Sequence, residues 1–438
     1  MEPIVDSEST VPPAEGIAAP LCALAALLTL GVPLFLRMPL TNDAEVYDLQ
    51  AAVVRDGGIL YRELLEPNLP GVVAIHLGVR SLFGESSEAL RVFDLCVLSL
   101  TLWGAASLVR CSGGSWRAAL WTVFALAACY LSLSEWCHCQ RDLWMLAPML
   151  AACHLRLRRI LGLPAWGGAF VEGLLWGSAV WLKPYVVVPG LGVWMASAWL
   201  SPSFRRTMQD AACCLLGGIS VGIAGIGVMF ATGCWPHFVD TLQNWNPAYF
   251  TAGRAHWTWI RWLGSILRMS PWCLFHLGAI AVTLRGAAGI VHSQVPAESL
   301  PQRAGLMLLA AGYGGWTLQA LMLQHQFDYV FAPTVLLALL VVVVGSLGVA
   351  RRGSPVVWYG FAVWALIGSP LTEWQRLQWW ATCVRGPITA EIRDDLMHFQ
   401  NPSQQDLARV AEFLAAAGVQ EQEVCCYNSD FVSLYRRL

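Results

Sequence analysis

Recurring apolar runs of about twenty residues dominate the chain, and this is the length at which a helix crosses the hydrocarbon core of a bilayer. Eleven such runs can be drawn, and the fourth is shorter than the others. They predict an all-α membrane protein with about eleven transmembrane helices. The runs are Ile17–Leu36, Glu88–Val109, Trp116–Leu133, Leu143–Leu155, Trp166–Leu182, Tyr185–Leu200, Ala211–Ala231, Trp262–Leu284, Ala304–Leu323, Tyr329–Val349 and Val356–Gly368.

The composition excludes an ordinary soluble enzyme. Apolar residues make up 56% of the 438 residues and charged residues only 13%, and there are 22 tryptophans. The formal net charge of -2 gives no basic footprint for nucleic acid, so nucleic acid is not expected as a partner. The 14 cysteines lie mostly in apolar runs without the paired spacing of a metal site, and we interpret them as packing residues.

The distribution of arginines predicts the orientation in the membrane, because short cytoplasmic loops carry an excess of positive charge. The basic loops alternate with nearly neutral ones, which places the N-terminus in the cytoplasm and the C-terminus outside the inner or plasma membrane. We expect a disordered tail (1–16), a membrane domain (17–369) and a small extracytoplasmic segment (370–438). The cytoplasmic arginines are Arg110, Arg117, Arg156, Arg158, Arg159, Arg205, Arg206, Arg285, Arg303, Arg351 and Arg352.

The first outer loop (38–87) contains Thr41–Gly71, the only long polar segment in the N-terminal half. Asn42 followed by Glu45 predicts a capping pair that opens a helix through about Val54. Gly71–Phe83 predicts a second, amphipathic helix that is too short to span and lies along the interface. Thr41–Gly71 carries an unusual number of carboxylates beside a bilayer: Asp43, Glu45, Asp48, Asp56, Glu63 and Glu66.

Two other segments are predicted to lie outside. The second large outer loop (233–261) is rich in Trp, Tyr and Asn, a composition that suits both the headgroup region and stacking on sugars. In the C-terminal segment, Ser403 and Asp406 predict the start of a helix that ends at Gly418. A short strand is expected at Glu423–Tyr427, which would make this an α/β tail that either docks on the outer loops or is the remnant of a larger domain.

Several charged residues are candidates for catalysis or binding, and a purely structural role is the alternative. Asp43 shares a helix face with Tyr47 and Gln50 and is our candidate general base, whereas Glu45 can also serve as the reciprocal cap. Asp142 opens an apolar helix and either pairs with the helix dipole or faces the same outer cavity. Lys183 stands alone between two apolar runs, where it either snorkels or contacts a lipid-linked phosphate.

Three ionisable residues inside predicted spans are also candidates, because such groups are costly in a membrane. Arg91 and Asp94 lie three residues apart on one helix, so we predict that they pair with each other. Glu172 has no partner nearby in the sequence. A contact to another helix and a role near a lipid site are both open for it.

The order of short motifs resembles the GT-C class of integral membrane glycosyltransferases, which includes protein O-mannosyltransferases and the aminoarabinose transferases that act on lipid A. The resemblance covers most of the membrane part. It is carried by Asp43 and Glu45 before Gly57-Gly58-Ile59-Leu60-Tyr61, by Pro70-Gly71 with Phe83-Gly84 and Arg91, by Gln140-Arg141-Asp142, by Lys183-Pro184, and by Phe327-Asp328-Tyr329 leading to Pro333.

The resemblance implies transfer of a sugar from a polyprenyl-phosphate donor to a hydroxyl of a lipid, glycan or protein acceptor at the outer face. No cofactor or metal ligand set is assigned, although a divalent cation between Asp43 and Asp142 is an alternative. The residues expected at the site are Asp43, Glu45 and Asp142 for catalysis, and Lys183, Arg141, Tyr61, Arg91 and Tyr329 for the donor and its phosphate.

Two other functions stay open. Many members of the class have Lys-Pro-Pro where this chain has Asn68-Leu69-Pro70, and a protein that binds polyprenyl lipid without catalysis would not need that lysine. A transporter or flippase is the other alternative. Against it, the polar residues concentrate in one outer loop instead of at the midplane of the spans.

Overall fold

A computed structural model gives the fold. Its described residues form helices joined by turns and loops, and none of them lies in a strand. The predicted all-α class is confirmed. The strand expected at Glu423–Tyr427 lies outside the described residues except for Val424, which is not in a strand. The structure describes residues 16–165, 167–201, 203–255, 257–292, 300–350, 356–397 and 402–419, together with Val424 and Leu434.

The N-terminal part begins with a long apolar helix and continues with two short helices of the first outer loop. The predicted helices of that loop are confirmed, since α3 has the expected bounds and α2 ends one residue beyond the expected Val54. The first seven helices are α1 (Ala18–Arg37), α2 (Asn42–Arg55), α3 (Gly71–Phe83), α4 (Ser87–Cys111), α5 (Trp116–Ser132), α6 (Arg141–Trp144) and α7 (Leu146–Ile160).

The middle of the chain alternates long apolar helices with short ones in the second outer loop. A turn of π-helix, Thr241–Trp245, joins α11 to α12, and a single 3-10 turn, Pro184–Val186, joins α8 to α9. The helices are α8 (Gly168–Leu182), α9 (Val187–Leu200), α10 (Phe204–Ala231), α11 (Trp235–Asp240), α12 (Asn246–Ala255), α13 (Trp259–Leu267) and α14 (Phe275–His292).

The last part has three long helices followed by short ones. The predicted tail helix is confirmed as α21, because the Ser403 side chain accepts a hydrogen bond from the Asp406 backbone N–H and caps its start. The helices are α15 (Leu300–Met322), α16 (Asp328–Ala350), α17 (Val356–Ile367), α18 (Trp374–Leu377), α19 (Trp380–Arg385), α20 (Ala390–Leu396) and α21 (Gln404–Ala416).

Four of the described helices are long and apolar enough to cross a membrane: α1, α4, α10 and the Asp328–Leu347 part of α16. They differ in their surroundings. In the most apolar stretch of α16, 78% of the residues are buried inside the protein, compared with 11% in α10. The outer surface of α10 is therefore a row of exposed apolar side chains, as lipid contact requires. The chain is a membrane-embedded helical protein.

The predicted span Trp262–Leu284 is broken. Helix α13 ends at Leu267, and the chain turns by 110° before the next helical segment starts at Trp272. Pro271 lies in the break. Proline lacks a backbone N–H and disfavours a helical conformation of the preceding residue, so it explains why the helix does not continue.

The short helices after α17 contact α1 and the start of α4, which are not the outer loops on which docking was predicted. The Trp380 indole N–H donates to the Thr29 carbonyl at 3.0 Å, and the Arg37 Nε–H donates to the Cys383 carbonyl at 3.3 Å. Glu88, at the start of α4, accepts from Arg37 at 3.1 Å and from Arg393 at 3.4 Å. These contacts hold the short helices α19 and α20 against the first and fourth helices.

Candidate functional site

Four separate parts of the chain meet at one polar cluster, which we call the Asp43 site and define as Asp43, Arg141, Asp142, Lys183 and Tyr329. Asp43 lies in the first turn of α2, and the Arg-Asp pair opens α6. Lys183 ends α8, and Tyr329 lies in the first turn of α16. Ends of four helices therefore surround the site, and the structure brings five of the predicted residues together.

Asp43 is half-buried and receives hydrogen bonds from two elements. The Gln140 side-chain amide donates to Oδ2 at 3.4 Å, and the Tyr329 hydroxyl also hydrogen-bonds to the carboxylate. Burial raises the pKa of Asp43 above its ordinary value, while the charge of Arg141 acts against the shift. A carboxylate with a raised pKa is a stronger base once ionised, which suits proton acceptance from a hydroxyl.

Asp142 and Lys183 form a buried ion pair. The ammonium Nζ lies 2.8 Å from Oδ1 and 2.9 Å from Oδ2 of Asp142, so it binds both carboxylate oxygens. It also lies 5.8 Å from the centre of the Tyr329 ring. Lys183 does not snorkel, and Asp142 does more than face a helix dipole. Each neutralises the other at the edge of the site.

The burial of this ion pair changes the pKa of Lys183. Burial lowers the pKa of Lys183 to about 8, even though the negative charge of Asp142 favours the charged ammonium. The ammonium is therefore largely protonated at neutral pH and loses its charge when the pH rises above about 8.

Arg141 is held differently from Lys183. Its side chain is buried and lies over the ring of Tyr47, 5.6 Å from the ring centre. Two of its guanidinium nitrogens, Nε and Nη1, are buried and have no hydrogen-bond partner in the part of the chain that the structure describes. Buried donors of this kind are rare in proteins. Arg141 is thus positioned to bind an oxyanion.

Glu66 is a buried carboxylate of the site that sequence reasoning did not single out. It accepts a hydrogen bond from the Gln50 side chain at 2.7 Å and another from the Asn68 backbone at 2.8 Å. Its charge also acts on Arg141 and Tyr47. The only signal in the sequence was its place among the carboxylates of the first outer loop.

Asn68 supports Glu66. Its side-chain amide donates to Glu66, and its carbonyl accepts from the Tyr61 hydroxyl at 2.7 Å. Tyr61 adopts a left-handed backbone conformation with φ of 70°, and burial raises the pKa of its hydroxyl. Tyr61 thus belongs to the wall beside the site through Glu66 and Asn68.

The predicted capping pair on α2 is wrong. The N-cap residue is Thr41, one residue before Asn42, and it makes no side-chain capping hydrogen bond. The predicted face of α2 nevertheless points toward the site. The Arg141 guanidinium lies over the Tyr47 ring, and the Gln50 side chain donates a hydrogen bond to Glu66. Glu45 is buried in the same helix, and its assigned catalytic role stays a prediction.

The predicted pair between Arg91 and Asp94 is also wrong. Arg91 donates to the carbonyls of Met38 at 2.7 Å and Pro39 at 2.6 Å, so it holds the connection between α1 and α2. Asp94 accepts from the Trp144 indole at 2.6 Å and from the Tyr130 hydroxyl at 2.5 Å. Arg91 therefore acts on the site through the backbone that precedes α2.

An aromatic column from the second outer loop leads to the site. Successive ring centres lie 4.7 to 5.9 Å apart, and each pair is stacked. Gly253 lets α12 approach closely, because a Cβ there would lie 1.7 Å from the ring of His325. The column consists of Trp245, Tyr249, His325, Phe327 and Tyr329.

A metal ligand set does not occur in the described part of the chain, which contains no group of three or more His, Cys, Asp or Glu side chains placed to hold an ion. A divalent cation between Asp43 and Asp142 would also have to compete with the Lys183 ammonium, which binds both oxygens of Asp142. Comparison with protein-family models, curated proteins and solved structures finds no match to this chain.

Proposed function

We propose that the protein is a membrane glycosyltransferase of the GT-C type, which moves a sugar from a polyprenyl-phosphate donor to a hydroxyl acceptor at the outer face. The observation that carries this proposal is the position of Arg141. Its buried guanidinium has unused donors beside the half-buried carboxylate of Asp43. A cation for a departing phosphate and a base for an attacking hydroxyl are the two groups that such a transfer requires.

In the proposed reaction, an acceptor hydroxyl attacks the anomeric carbon of the donor sugar. Asp43 accepts the hydroxyl proton as the new carbon–oxygen bond forms. The bond from the anomeric carbon to the phosphate oxygen breaks, and its electron pair stays on the phosphate. Arg141 stabilises that charge with charge-assisted hydrogen bonds.

Lys183 has a supporting role in this proposal. Because Asp142 engages its ammonium, Lys183 has less to offer a phosphate than Arg141. The ion pair instead engages both oxygens of Asp142, while Nε and Nη1 of Arg141 stay without a hydrogen-bond partner among the described residues. This differs from a direct lysine contact to the phosphate, which was the expectation from the sequence.

We also propose eleven membrane crossings with a cytoplasmic N-terminus and an outer C-terminus. Each of the eleven apolar runs overlaps a helix of 12 to 28 residues, and the eighth overlaps the bent pair α13 and α14. The proposal places Asp43, Lys183 and the second outer loop on the outer side, together with the acceptor. The crossings are α1, α4, α5, α7, α8, α9, α10, α14, α15, α16 and α17.

Transfer of radiolabelled sugar from a panel of polyprenyl-phosphate sugars tests the function. The purified protein should transfer from at least one donor, and Asp43→Asn should lower the rate by about 10²- to 10⁴-fold, the usual contribution of a general base. Asp56→Asn is the matched control, because Asp56 is an exposed carboxylate of the same loop. Transfer from no donor, or equal rates for both variants, would contradict the proposal and favour a transporter or a lipid-binding protein.

A further inference from the structure

Helix α13 is too short to cross a bilayer. Its nine residues span about 13 Å at 1.5 Å per residue, less than half of a hydrocarbon core of about 30 Å. The 110° turn that follows it also prevents it from extending the next helical segment as a straight rod. α13 therefore runs across the direction of its neighbour.

One side of α13 is an exposed apolar stripe. Its four side chains are between 49% and 84% exposed. At 100° per residue they fall within an arc of about 100°, so they form one continuous stripe. Side chains of this size on one face are the signature of a helix that lies on an apolar phase. The stripe consists of Trp259, Ile260, Leu263 and Leu267.

The other side of α13 is already used by the protein. Ser265 is buried, and its hydroxyl donates to the Gln326 carbonyl at 3.4 Å. The Gln326 side chain also accepts from the Thr258 backbone at 3.3 Å and donates to the Thr258 carbonyl at 3.1 Å. These bonds fix the helix by its first residues and its inner side. The apolar stripe consequently points away from the protein.

The stretch of chain around the stripe contains positively charged side chains and no acidic ones, although one of its arginines pairs with an aspartate from another part of the chain. No Asp or Glu occurs from Thr241 to Leu284, and three arginines occur in that stretch. Arg254 and Arg261 are exposed, and Arg268 is half-exposed while it pairs with Asp328 at 3.2 Å. The ring centres of Trp257 and Trp259 lie 5.3 Å apart. Tryptophan and arginine together are typical of the membrane–water interface, where anionic headgroups lie.

We propose that α13 lies in the plane of the membrane surface, with its apolar stripe in the bilayer and Arg254 and Arg261 against anionic phospholipid headgroups. The short helix, the turn into the apolar α14 and the absence of acidic residues all fit this occupant. The proposal does not depend on the transferase function. It replaces part of the eighth predicted span with a surface-bound helix.

Site-specific photocrosslinking tests the placement in the full-length protein. p-Benzoylphenylalanine is introduced in place of Ile260, of Leu267, and of Glu412 as a control on the exposed surface of α21. The protein is reconstituted in nanodiscs of mixed phosphatidylglycerol and phosphatidylcholine, irradiated and analysed by mass spectrometry. Positions 260 and 267 should yield phospholipid adducts, and position 412 should not.

The same experiment tests the headgroup preference. The adducts at position 260 should favour phosphatidylglycerol over phosphatidylcholine by about fivefold relative to the disc composition, the effect of one arginine near a charged surface. Arg254→Gln with Arg261→Gln should remove that preference and leave the adducts themselves. Crosslinks to a second copy of the chain, equal labelling of the two lipids, or no lipid adduct at position 260 would overturn the proposal.

Discussion

Two buried groups of charges differ in how their arginines are paired. In the first group, between α7, α8 and α10, Arg156 contacts Glu172 at 2.7 and 3.0 Å and Asp210 at 3.2 Å. Arg141 in the Asp43 site, by contrast, forms no ion pair with a described carboxylate, and its buried Nε and Nη1 have no hydrogen-bond partner in that part of the chain. Lys183 and Asp142 there are paired with each other.

The difference separates structural charges from candidate functional ones. A buried guanidinium in contact with two carboxylates is compensated, and breaking such a pair leaves an unbalanced charge in a poorly solvated interior. An arginine with unused buried donors costs stability unless a ligand satisfies it. The first group therefore holds helices together, whereas the second is arranged to bind. Glu172 accordingly belongs to a helix contact, one of the two readings that its sequence left open.

The largest expected effect is on stability, at Glu172. Glu172→Gln should lower the free energy of unfolding by about 3–5 kcal/mol, because Arg156 loses a buried ionic partner. Transfer per folded molecule should stay unchanged. Thermal unfolding in detergent, followed by circular dichroism, measures the loss, with exposed Glu63→Gln as the control. Loss of transfer at unchanged stability would show that the two groups are not distinct.

The second expected effect is a difference in donor binding between variants of the two arginines. Arg141→Gln should weaken donor binding by about 10- to 100-fold, since a hydrogen bond to a charged group contributes about 1.5–3 kcal/mol. Arg156→Gln should leave donor binding unchanged and lower stability instead. Binding of a polyprenyl-phosphate donor by the purified variants is the measurement. The same pattern in both variants would contradict the assignment of Arg141 to the phosphate.

The smallest expected effect is on the pH dependence of transfer. The transfer rate should rise with pH as Asp43 loses its proton. Because burial raises the pKa of Asp43, this rise should occur at a higher pH than for an ordinary carboxyl group. The rate should decline above about pH 8, where Lys183 loses its charge and Asp142 is free to attract Arg141. Lys183→Arg should move the decline to higher pH, because arginine stays charged. A decline at the same pH in this variant would contradict the role of the ion pair.

Much of the local structure of the outer loop could be predicted. The bounds of α3 and the approximate end of α2 follow from Gly and Pro residues and from the spacing of apolar side chains. The shared face of Asp43, Tyr47 and Gln50 also followed from helical spacing. The capping pair could not be predicted correctly, because Thr41 and Asn42 are both good capping residues and the path of the preceding chain decided between them.

The partners of single charges were less predictable. Arg91 had a plausible partner three residues away, yet it bonds to carbonyls 52 and 53 residues away in the chain. Glu66 did not stand out among the six carboxylates of Thr41–Gly71, because nothing local distinguishes a buried carboxylate from an exposed one. Burial depends on which helices pack around the loop, and that information is not contained in a short stretch of sequence.

The sequence alone is enough to predict the helical membrane class, the polar segment after the first apolar run and the helices α2 and α3. These follow from hydrophobic length, helical periodicity and backbone breakers, which are local properties of the chain. The pairing of Lys183 with Asp142, 41 residues away, and the unused donors of Arg141 are visible only in the folded protein. The physical reason is that the pairing of buried charges depends on the packing of distant helices, since each charge takes whichever partner that packing brings within reach.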